Sequence, residues 1–176
     1  MLSSMFQECL VDIYRGEQEG EAIFDTILRK AADDKQRYVL GTLLQFETEG
    51  KARLRPLLSK LGISAAEDQK AKSEAASLAD SMGHLSWKDQ FTTMEKGIES
   101  TFLAKYQELA TLVTEEEDAE AYELAKFMGD HEHAVMAACA NLAAGLPDPI
   151  APVVNLLQFP LVKPANYGAG PVWDEA

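Results

Sequence analysis

Apolar positions recur with the 3.6-residue period of an amphipathic helix in four long stretches of the chain. These stretches cover residues 3–31, about 34–61 and about 86–113, and the last runs from Thr114 to Gly145. The stripe of the first stretch comprises Phe6, Leu10, Ile13, Phe24, Ile27 and Leu28. We therefore predict an all-α fold built on four long helices.

The connections between the stretches predict how the helices run. The link at 31–34 is short, so the second helix is expected to run antiparallel to the first. Residues 63–85 break the apolar pattern and are rich in Lys, Ser and Ala, which indicates a long crossover holding one or two helical turns. A long middle connection lets the third helix run parallel to the second. Thr114 with Glu117 reads as a capping box that starts the fourth helix.

The last part of the chain has a different composition. Residues 146–176 hold six of the seven prolines, together with several large apolar side chains such as Phe159 and Trp173. This segment is too apolar for a solvated linker and too rich in proline for a continuous helix. The sequence thus predicts a helical domain over 1–145 and an arm over 146–176, which packs on that domain or on a partner subunit of a homo-oligomer, most simply a dimer.

Charge and composition narrow the classes of function. The 176 residues carry a formal net charge of -13, which argues against nucleic acid and against anionic membrane surfaces as partners. No run of about 20 apolar residues is present to span a bilayer. The N-terminus does not resemble a signal peptide, and two cysteines are too few for a disulfide framework. These features together predict a cytoplasmic protein.

Acidic and imidazole side chains interrupt the apolar stripes. Asp130 and His133 are three residues apart and would share one helix face, where they could bind one metal ion. His131 would then lie on the flank. The other three helices offer candidates at Glu17 and Glu21, at Glu47, and at Glu95 and Glu99. Acids on the inward helix faces would be costly to bury unless they were paired or bound to metal. A set of carboxylates from all four helices together with an imidazole is a donor set that suits Fe or Mn.

On these residues the chain resembles the ferritin-like superfamily, in its rubrerythrin and di-iron carboxylate branch. That family carries a Glu on helix one, Glu-x-x-His on helix two, a Glu on helix three and Glu-x-x-His on helix four. The matching positions are Glu21 (or Glu17), Glu47-Thr48-Glu49-Gly50, Glu99, and Asp130-His131-Glu132-His133. The resemblance covers about 1–145. It implies a ferritin-like four-helix bundle whose metal site reacts with oxygen or peroxide, with Tyr106 near the metals.

Two positions depart from the family pattern. Gly50 stands where helix two should supply a His, and Asp130 replaces a Glu with a shorter side chain. The departures leave open a single ion, a weaker pair of ions, a lost site, or a Gly50 that makes room for a substrate. The rubredoxin-type Cys-x-x-Cys domain of some relatives is absent, so an enzyme of this type would need an external electron donor.

Two functional hypotheses follow from the sequence. The first is a non-heme iron (or manganese) oxidoreductase with one or two ions, in which Tyr106 assists proton or electron movement. Its metal ligands are Glu21, Glu47, Glu99, Asp130 and His133, and Glu17 and Glu95 are expected to be solvated. The second is a non-catalytic helical bundle with a decayed, metal-free site, which binds a partner or assembles into an oligomer through its C-terminal arm. A storage cage is a weaker third choice.

Overall fold

The computed structural model describes residues 2–168 and 172–173, and all regular structure within them is helical. The all-α prediction is therefore confirmed, while the ends of the arm at 169–171 and 174–176 lie outside the described residues. The α-helices are α1 (Ser4–Leu28), α2 (Asp34–Lys60), α3 (Gln69–Ser81), α4 (Trp87–Gly97), α5 (Leu103–Leu109), α6 (Ala119–Ala143) and α7 (Ala151–Val154). A 3₁₀ turn, Met82–His84, follows α3, and a π-helical segment, Ile98–Phe102, joins α4 to α5.

The last long helix starts later than its capping signal predicts. Thr114 and Glu117 do make the reciprocal capping hydrogen bonds, with Glu117 N donating to Thr114 Oγ1 at 3.3 Å and Thr114 N donating to Glu117 Oε2 at 3.0 Å. These bonds close a turn that precedes α6. The N-cap of α6 is Asp118, whose side chain accepts from Ala121 N at 3.1 Å. The chain thus has two adjacent N-terminal capping motifs, the Thr114–Glu117 pair and Asp118, and α6 begins directly after Asp118.

The connection at 63–85 holds more helix than the sequence suggested. It contains α3, which is 13 residues long and packs along α1. Ala71, Ala75 and Ala79 are buried and recur every four residues, so α3 presents one narrow face of small side chains to its neighbour. The four-residue spacing of these alanines is the sequence pattern that indicates this helix. The pattern is weak because most of the other residues of α3 are polar.

The core consists of two apolar clusters, which meet partway along the long helices. We name them after two residues of α2, Leu43 and Leu54. The Leu43 cluster comprises side chains such as Phe24, Phe46, Phe91, Met94, Val135, Ala138 and Cys139. The Leu54 cluster comprises side chains such as Phe6, Leu10, Ile13, Leu57, Tyr106, Leu109, Ala125 and Met128.

The order of the clusters along each helix gives the helix direction. α1 and α6 begin in the Leu54 cluster and end in the Leu43 cluster. α2 runs the other way, and so does the segment formed by α4, the π turn and α5. The short link between α1 and α2 therefore joins antiparallel helices, whereas the connection that holds α3 joins helices that run in the same direction.

The C-terminal arm takes part in the Leu43 cluster. Ile150, Val153 and Leu157 are buried there, at 9% exposure or less. The buried carboxylate of Glu49 accepts the backbone N–H groups of Gln158 at 2.8 Å and Phe159 at 3.0 Å. The arm is thus fixed to α2 as far as Phe159. None of the helices in the described part of the chain has the length and apolar character that a membrane span requires.

Candidate metal centre

Buried polar side chains lie at the level where the helices pass from one apolar cluster to the other. α1 contributes Glu17, α2 contributes Glu47, and α6 contributes His131 and Glu132, all between 0% and 6% exposed. Tyr106 of α5 is 2% exposed and meets them from the fourth side. The π turn Ile98–Phe102 occupies the same level of its helical segment, between Met94 of the Leu43 cluster and Tyr106 of the Leu54 cluster.

Three of these side chains form a compact group of ligand atoms. One carboxylate oxygen of Glu17, one of Glu132 and one ring nitrogen of His131 all lie within 4.8 Å of one another. His131 Nε2 is 3.4 Å from Glu17 Oε2. The other oxygen of Glu17, Oε1, accepts a hydrogen bond from the Tyr106 hydroxyl at 2.8 Å. The phenol therefore orients the Glu17 carboxylate with Oε2 toward the imidazole.

Several polar atoms of the group have no partner within the described chain. Glu17 Oε2 and His131 Nδ1 are buried without a hydrogen bond. The carboxylates of Glu47 and Glu132 form neither a hydrogen bond nor an ion pair with any described residue. Buried polar atoms in proteins are nearly always hydrogen-bonded, and buried charges are paired or coordinate metals. The group thus has the unsatisfied oxygen and nitrogen atoms that a cation site requires.

Burial sets the protonation states of these side chains. It raises the pKa of Glu132 to about 8. It also raises the pKa of Glu17 and of Glu47 well above the ordinary value, and the neighbouring carboxylates add to the shift in both. The pKa of His131 is lowered to about 4, again chiefly by burial, so the imidazole is neutral at physiological pH. Without a cation the group therefore favours protonated acids beside a neutral histidine.

The imidazole of His131 is fixed from two sides. Its ring stacks on Phe46 with centroids 3.9 Å apart and an interplanar angle of 16°. Its Nε2 lies 3.3 Å from the backbone oxygen of the same residue. Since Phe46 belongs to α2, this contact ties α6 to α2 next to the carboxylates. The ring is held in one orientation, with Nε2 directed toward α2 and Glu17.

Three glycines leave room for the polar side chains. A Cβ added to Gly50 would lie 2.0 Å from Glu17 Oε2 and 3.0 Å from His131 Nε2. At Gly20 it would lie 2.4 Å from Glu47 Oε2, and at Gly16 2.6 Å from the Tyr106 hydroxyl oxygen. The three shortest distances, to Glu17, Glu47 and Tyr106, are far below van der Waals contact. The space beside Gly50 is thus occupied by the Glu17 carboxylate and the imidazole of His131.

The structure brings together only part of the predicted ligand set. Glu47 is buried at the site, and Tyr106 is hydrogen-bonded within it. Glu99, Asp130 and His133 are all exposed. The ring of His133 makes its contacts outside the group, with Nδ1 at 2.8 Å from Gly129 O and Nε2 at 3.2 Å from Gln107 Nε2.

Glu21, the remaining predicted ligand, belongs to an ion-pair network one turn away from Glu17. Its Oε2 accepts from Lys51 Nζ at 2.6 Å and from Lys72 Nζ at 3.0 Å. Both lysines also bind Glu67 at 2.9 Å. Burial alone would raise the pKa of Glu21, but the hydrogen bonds from the two lysines outweigh it and lower that pKa. We name Glu21, Lys51, Glu67 and Lys72 the lysine network.

Glu17 and His131 were considered in the sequence but were not chosen as ligands, and Glu132 was not proposed as one, although the apolar stripes point to all three. Glu17 follows Leu10 and Ile13 at helical spacing, yet was expected to be solvated. On α6, Met128, Val135, Cys139 and Leu142 form a stripe that places Glu132 and His131 on the buried face. Asp130 and His133 fall on the opposite side. The position of the apolar stripe on α6, and not the i,i+3 spacing, was the informative signal.

A cavity of about 200 Å³ reaches the site from the side of α1, α3, α4 and the π turn. Its inner wall includes Glu47, Glu132 and Tyr106, and its outer wall includes the exposed residues Leu78 and Thr93. Most of the remaining wall is apolar, with side chains such as Ile23, Phe24, Met94, Ile98, Phe102 and Val135. The cavity therefore connects the protein surface to the buried carboxylates.

Comparison of the chain with protein-family models, with curated proteins and with solved structures finds no match.

Proposed function

We propose that the chain is a ferritin-like metal-binding protein whose buried carboxylate and histidine group holds iron or manganese and reacts with oxygen or peroxide. One observation carries the proposal, namely that ligand atoms of Glu17, His131 and Glu132 lie within 4.8 Å of one another in the interior. Glu47 is the fourth proposed ligand, since its carboxylate is buried beside them without a partner. Asp130, His133, Glu99 and Glu21 have no part in this set.

We infer further that the four long helical segments form a ferritin-like four-helix bundle with a crossover between the second and third. The helix directions support this, because the connection that holds α3 joins two segments running the same way. The site also lies where such a bundle would place it, halfway along the helices. Described residues of the arm, such as Ile150, Val153 and Leu157, belong to the Leu43 cluster and cover that end.

The donor set fits a divalent transition metal. Three carboxylates and one neutral imidazole are the oxygen and nitrogen donors that suit Fe and Mn, whereas the absence of thiolates argues against softer metals. Neutral imidazole is the protonation state that binds metal. The proposed ion would replace protons on the carboxylates, so we expect its affinity to rise with pH. The stoichiometry, one or two ions per chain, is set by whether Glu47 completes the first site or begins a second.

The residues of the chain would serve the chemistry in distinct ways. A bound iron or manganese ion would supply the one-electron redox step. Tyr106 would hold Glu17 in place and would offer its phenolic proton beside the ligands. The two apolar clusters exclude water above and below the site. An external donor would supply electrons, because the only cysteines, Cys9 and Cys139, do not form a redox pair motif.

The proposal is tested by the metal content of the protein after expression with iron and manganese. We compare the wild type with His131→Ala and with His133→Ala, a matched control two residues along the same helix. The expected result is that His131→Ala loses most of the metal, whereas His133→Ala retains it. A wild type without iron or manganese, or equal retention by the two variants, would overturn the proposal. Circular dichroism checks that each variant is folded.

The arm supports a second candidate function, assembly into a homo-oligomer without catalysis. Phe159 is 64% exposed and Val162 is 92% exposed, so large apolar side chains face solvent just beyond the part of the arm that is buried. Deleting the arm would also remove Ile150, Val153 and Leu157 from the core, so surface substitutions are the better test. We expect Phe159→Ser with Val162→Ser to lower the particle mass in solution to that of one chain. A mass that is unchanged, or a wild type that is already monomeric, would exclude this candidate.

A further inference from the structure

We propose that the cavity beside the carboxylates binds an uncharged, mainly apolar molecule of about six to ten non-hydrogen atoms as the substrate of the site. This inference deepens the proposed function and rests on it, because the bound molecule is a substrate only if the group holds a metal.

The size of the cavity sets the size of the ligand. Its volume is about 200 Å³. An apolar cavity of about 150 Å³ is enough to bind benzene and stays dry otherwise. The cavity thus accepts a molecule of about the size of toluene or indole, or a short branched chain. Met82 and Met94 line it, and their flexible side chains can adapt to ligands of different shape.

The charges of the wall select against ionic ligands. Among the described residues, neither lysine, arginine nor histidine lines the cavity, so a carboxylate or phosphate group would enter without a counter-charge. Of the three acids that do line it, Glu19 is paired with Arg15 at 3.2 Å. Glu47 and Glu132 would direct their charge to the metal. An ammonium group would therefore gain little, and an uncharged ligand is favoured over both ionic classes.

The position of the wall residues orients the ligand. Ile98 and Phe102 belong to the π turn, which lies at the level of the buried carboxylates. On the other side, Gly16 and Gly20 of α1 line the cavity, and their lack of side chains brings the α1 backbone close to Tyr106 and Glu47. A ligand that enters past Leu78 would consequently place its leading end against Glu47, Glu132 and the Tyr106 hydroxyl.

The experiment measures binding of toluene to the metal-free and the manganese-loaded protein by titration calorimetry, with benzoate and benzylamine as charged probes of the same size. We expect saturable binding of one toluene per chain in both samples. In the manganese-loaded sample, where the metal would take up the charge of Glu47 and Glu132, we expect at least tenfold weaker binding of the two charged probes. In the manganese-loaded sample, the proton resonances of bound toluene should broaden because the paramagnetic ion is near.

Gly97 offers a variant that fills the cavity. It lines the wall, and a Cβ added there would meet nothing within 4 Å. Gly97→Leu should therefore weaken toluene binding at least tenfold, whereas Ser100→Leu, at an exposed position outside the wall, should leave it unchanged. Ile98→Phe provides a second filling variant should Gly97→Leu fail to fold.

The outcomes separate the two proposals. Toluene binding by the metal-free protein combined with no metal retention would sink the metal proposal and leave a binding cavity that has no reaction. Metal retention without saturable toluene binding would overturn the cavity proposal alone. Equal affinity for toluene and benzoate, or binding that neither filling variant weakens, would also overturn it.

Discussion

Glu17 and Glu21 lie one turn apart on α1 and have opposite surroundings. Glu21 is bound by Lys51 and Lys72, and its pKa is lowered. Glu17 is completely buried and faces other carboxylates, and its pKa is raised well above the ordinary value by burial and by Glu132. The same side chain on the same helix thus belongs to a satisfied ion-pair network in one case and to an unsatisfied group in the other.

The difference shows which feature distinguishes a candidate site from a structural charge. The lysine network supplies its own cations, so it needs nothing further and contributes to the stability of the fold. No lysine or arginine of the described chain forms an ion pair with the three acids of the Glu17 group, although the charge of Lys51 lowers the pKa of Glu17 somewhat, so the burial of these acids costs stability. The lack of an ion-pair partner, and not the number of acids, therefore distinguishes the proposed metal centre from the lysine network. Four predictions test this contrast, from the largest expected effect to the smallest.

The largest effect should come from exchanging the two acids for amides. Glu17→Gln should lower the affinity for iron or manganese at least about 100-fold, because loss of a ligand costs no less than loss of a residue that supports one. Glu21→Gln should leave the affinity within about twofold and should lower the free energy of unfolding by about 1 kcal/mol, because two lysines lose a charge partner. Metal titration and chemical denaturation measure the two quantities.

A reversal of this pattern would refute the contrast between the two acids. If Glu21→Gln releases the metal while Glu17→Gln retains it, the ion sits among the lysine network residues and the ligand set proposed here is wrong. In Glu17→Gln the side-chain amide oxygen can still accept the hydrogen bond from the Tyr106 hydroxyl. A loss of metal would therefore report the lost ligand and not a general change in the packing around the site.

Replacing a lysine should lower the stability of the protein only where that lysine belongs to the lysine network. Lys51 is buried and bridges Glu21 and Glu67. Lys51→Met should lower the free energy of unfolding by about 3 kcal/mol, because it removes a buried charge that bridges two half-buried carboxylates and leaves them with one lysine fewer. Lys70→Met, at an exposed lysine of α3, should change it by less than about 0.5 kcal/mol. Urea denaturation of the metal-free variants gives both values, and equal losses would contradict the assigned role of Lys51.

The metal-free protein should become less stable as the pH rises from 6.5 to 8. The folded protein keeps a proton on Glu132 up to its pKa of about 8, whereas the unfolded chain releases it near the ordinary value, so folding is penalised as the pH rises between the two. His131 acts in the opposite sense, with a folded pKa of about 4, but its contribution is complete above pH 6.5. The loss from Glu132 alone is about 2 kcal/mol over this range.

Glu132→Gln should flatten this pH dependence, and so should saturating metal, since a bound ion holds the carboxylate ionised. Thermal denaturation at fixed ionic strength across pH 6.5–8 provides the measurement. An equally steep loss in Glu132→Gln would assign the titration to Glu17 and Glu47, whose pKa values are also raised.

The smallest effect concerns Gly50, the glycine of α2 that faces the Glu17 carboxylate. Gly50→Ala should destabilise the protein by about 1–2 kcal/mol, because its Cβ would lie 2.0 Å from Glu17 Oε2. Gly129→Ala on α6 should be neutral or should stabilise it by up to about 1 kcal/mol, since the nearest contact there is 3.8 Å and alanine favours the helix. If Gly50→Ala instead stabilises the protein, Glu17 is free to move and the site is not rigidly formed.

Much of the fold could be predicted from the sequence, because the apolar residues of a long amphipathic helix recur with a period of 3.6 residues. The all-helical class, the short first link and the position of the long helical stretches follow from apolar spacing and composition, although the third stretch is divided into α4, the π-helical segment and α5. The features that could not be predicted are local details of individual helices. The π turn at Ile98–Phe102 leaves no periodic trace, the start of α6 had two competing caps, and α3 is polar on most of its surface.

The sequence indicated that carboxylates and a histidine would be buried together, but it identified only some of the residues that are. A buried set of carboxylates with histidine was expected, and Glu47 and Tyr106 are in the group that the structure brings together. Adjacent residues of a helix differ by 100° in direction, so an error of one or two positions moves a ligand from the core to the surface. Asp130 and His133 illustrate this, because the i,i+3 rule identifies pairs that share a face without saying which face is buried.

The attachment of the arm to Glu49 has a consequence for how the protein is made. Gln158, whose backbone N–H is bound by Glu49, is synthesised 109 residues after it. At roughly 5–20 residues per second, a ribosome needs about 5–20 s to bridge that interval. During this time α2 exists without Ile150, Val153 and Leu157, and one side of the Leu43 cluster stays uncovered. The nascent chain thus passes through a period in which it is most vulnerable to aggregation, and fast translation of its last third would shorten that period.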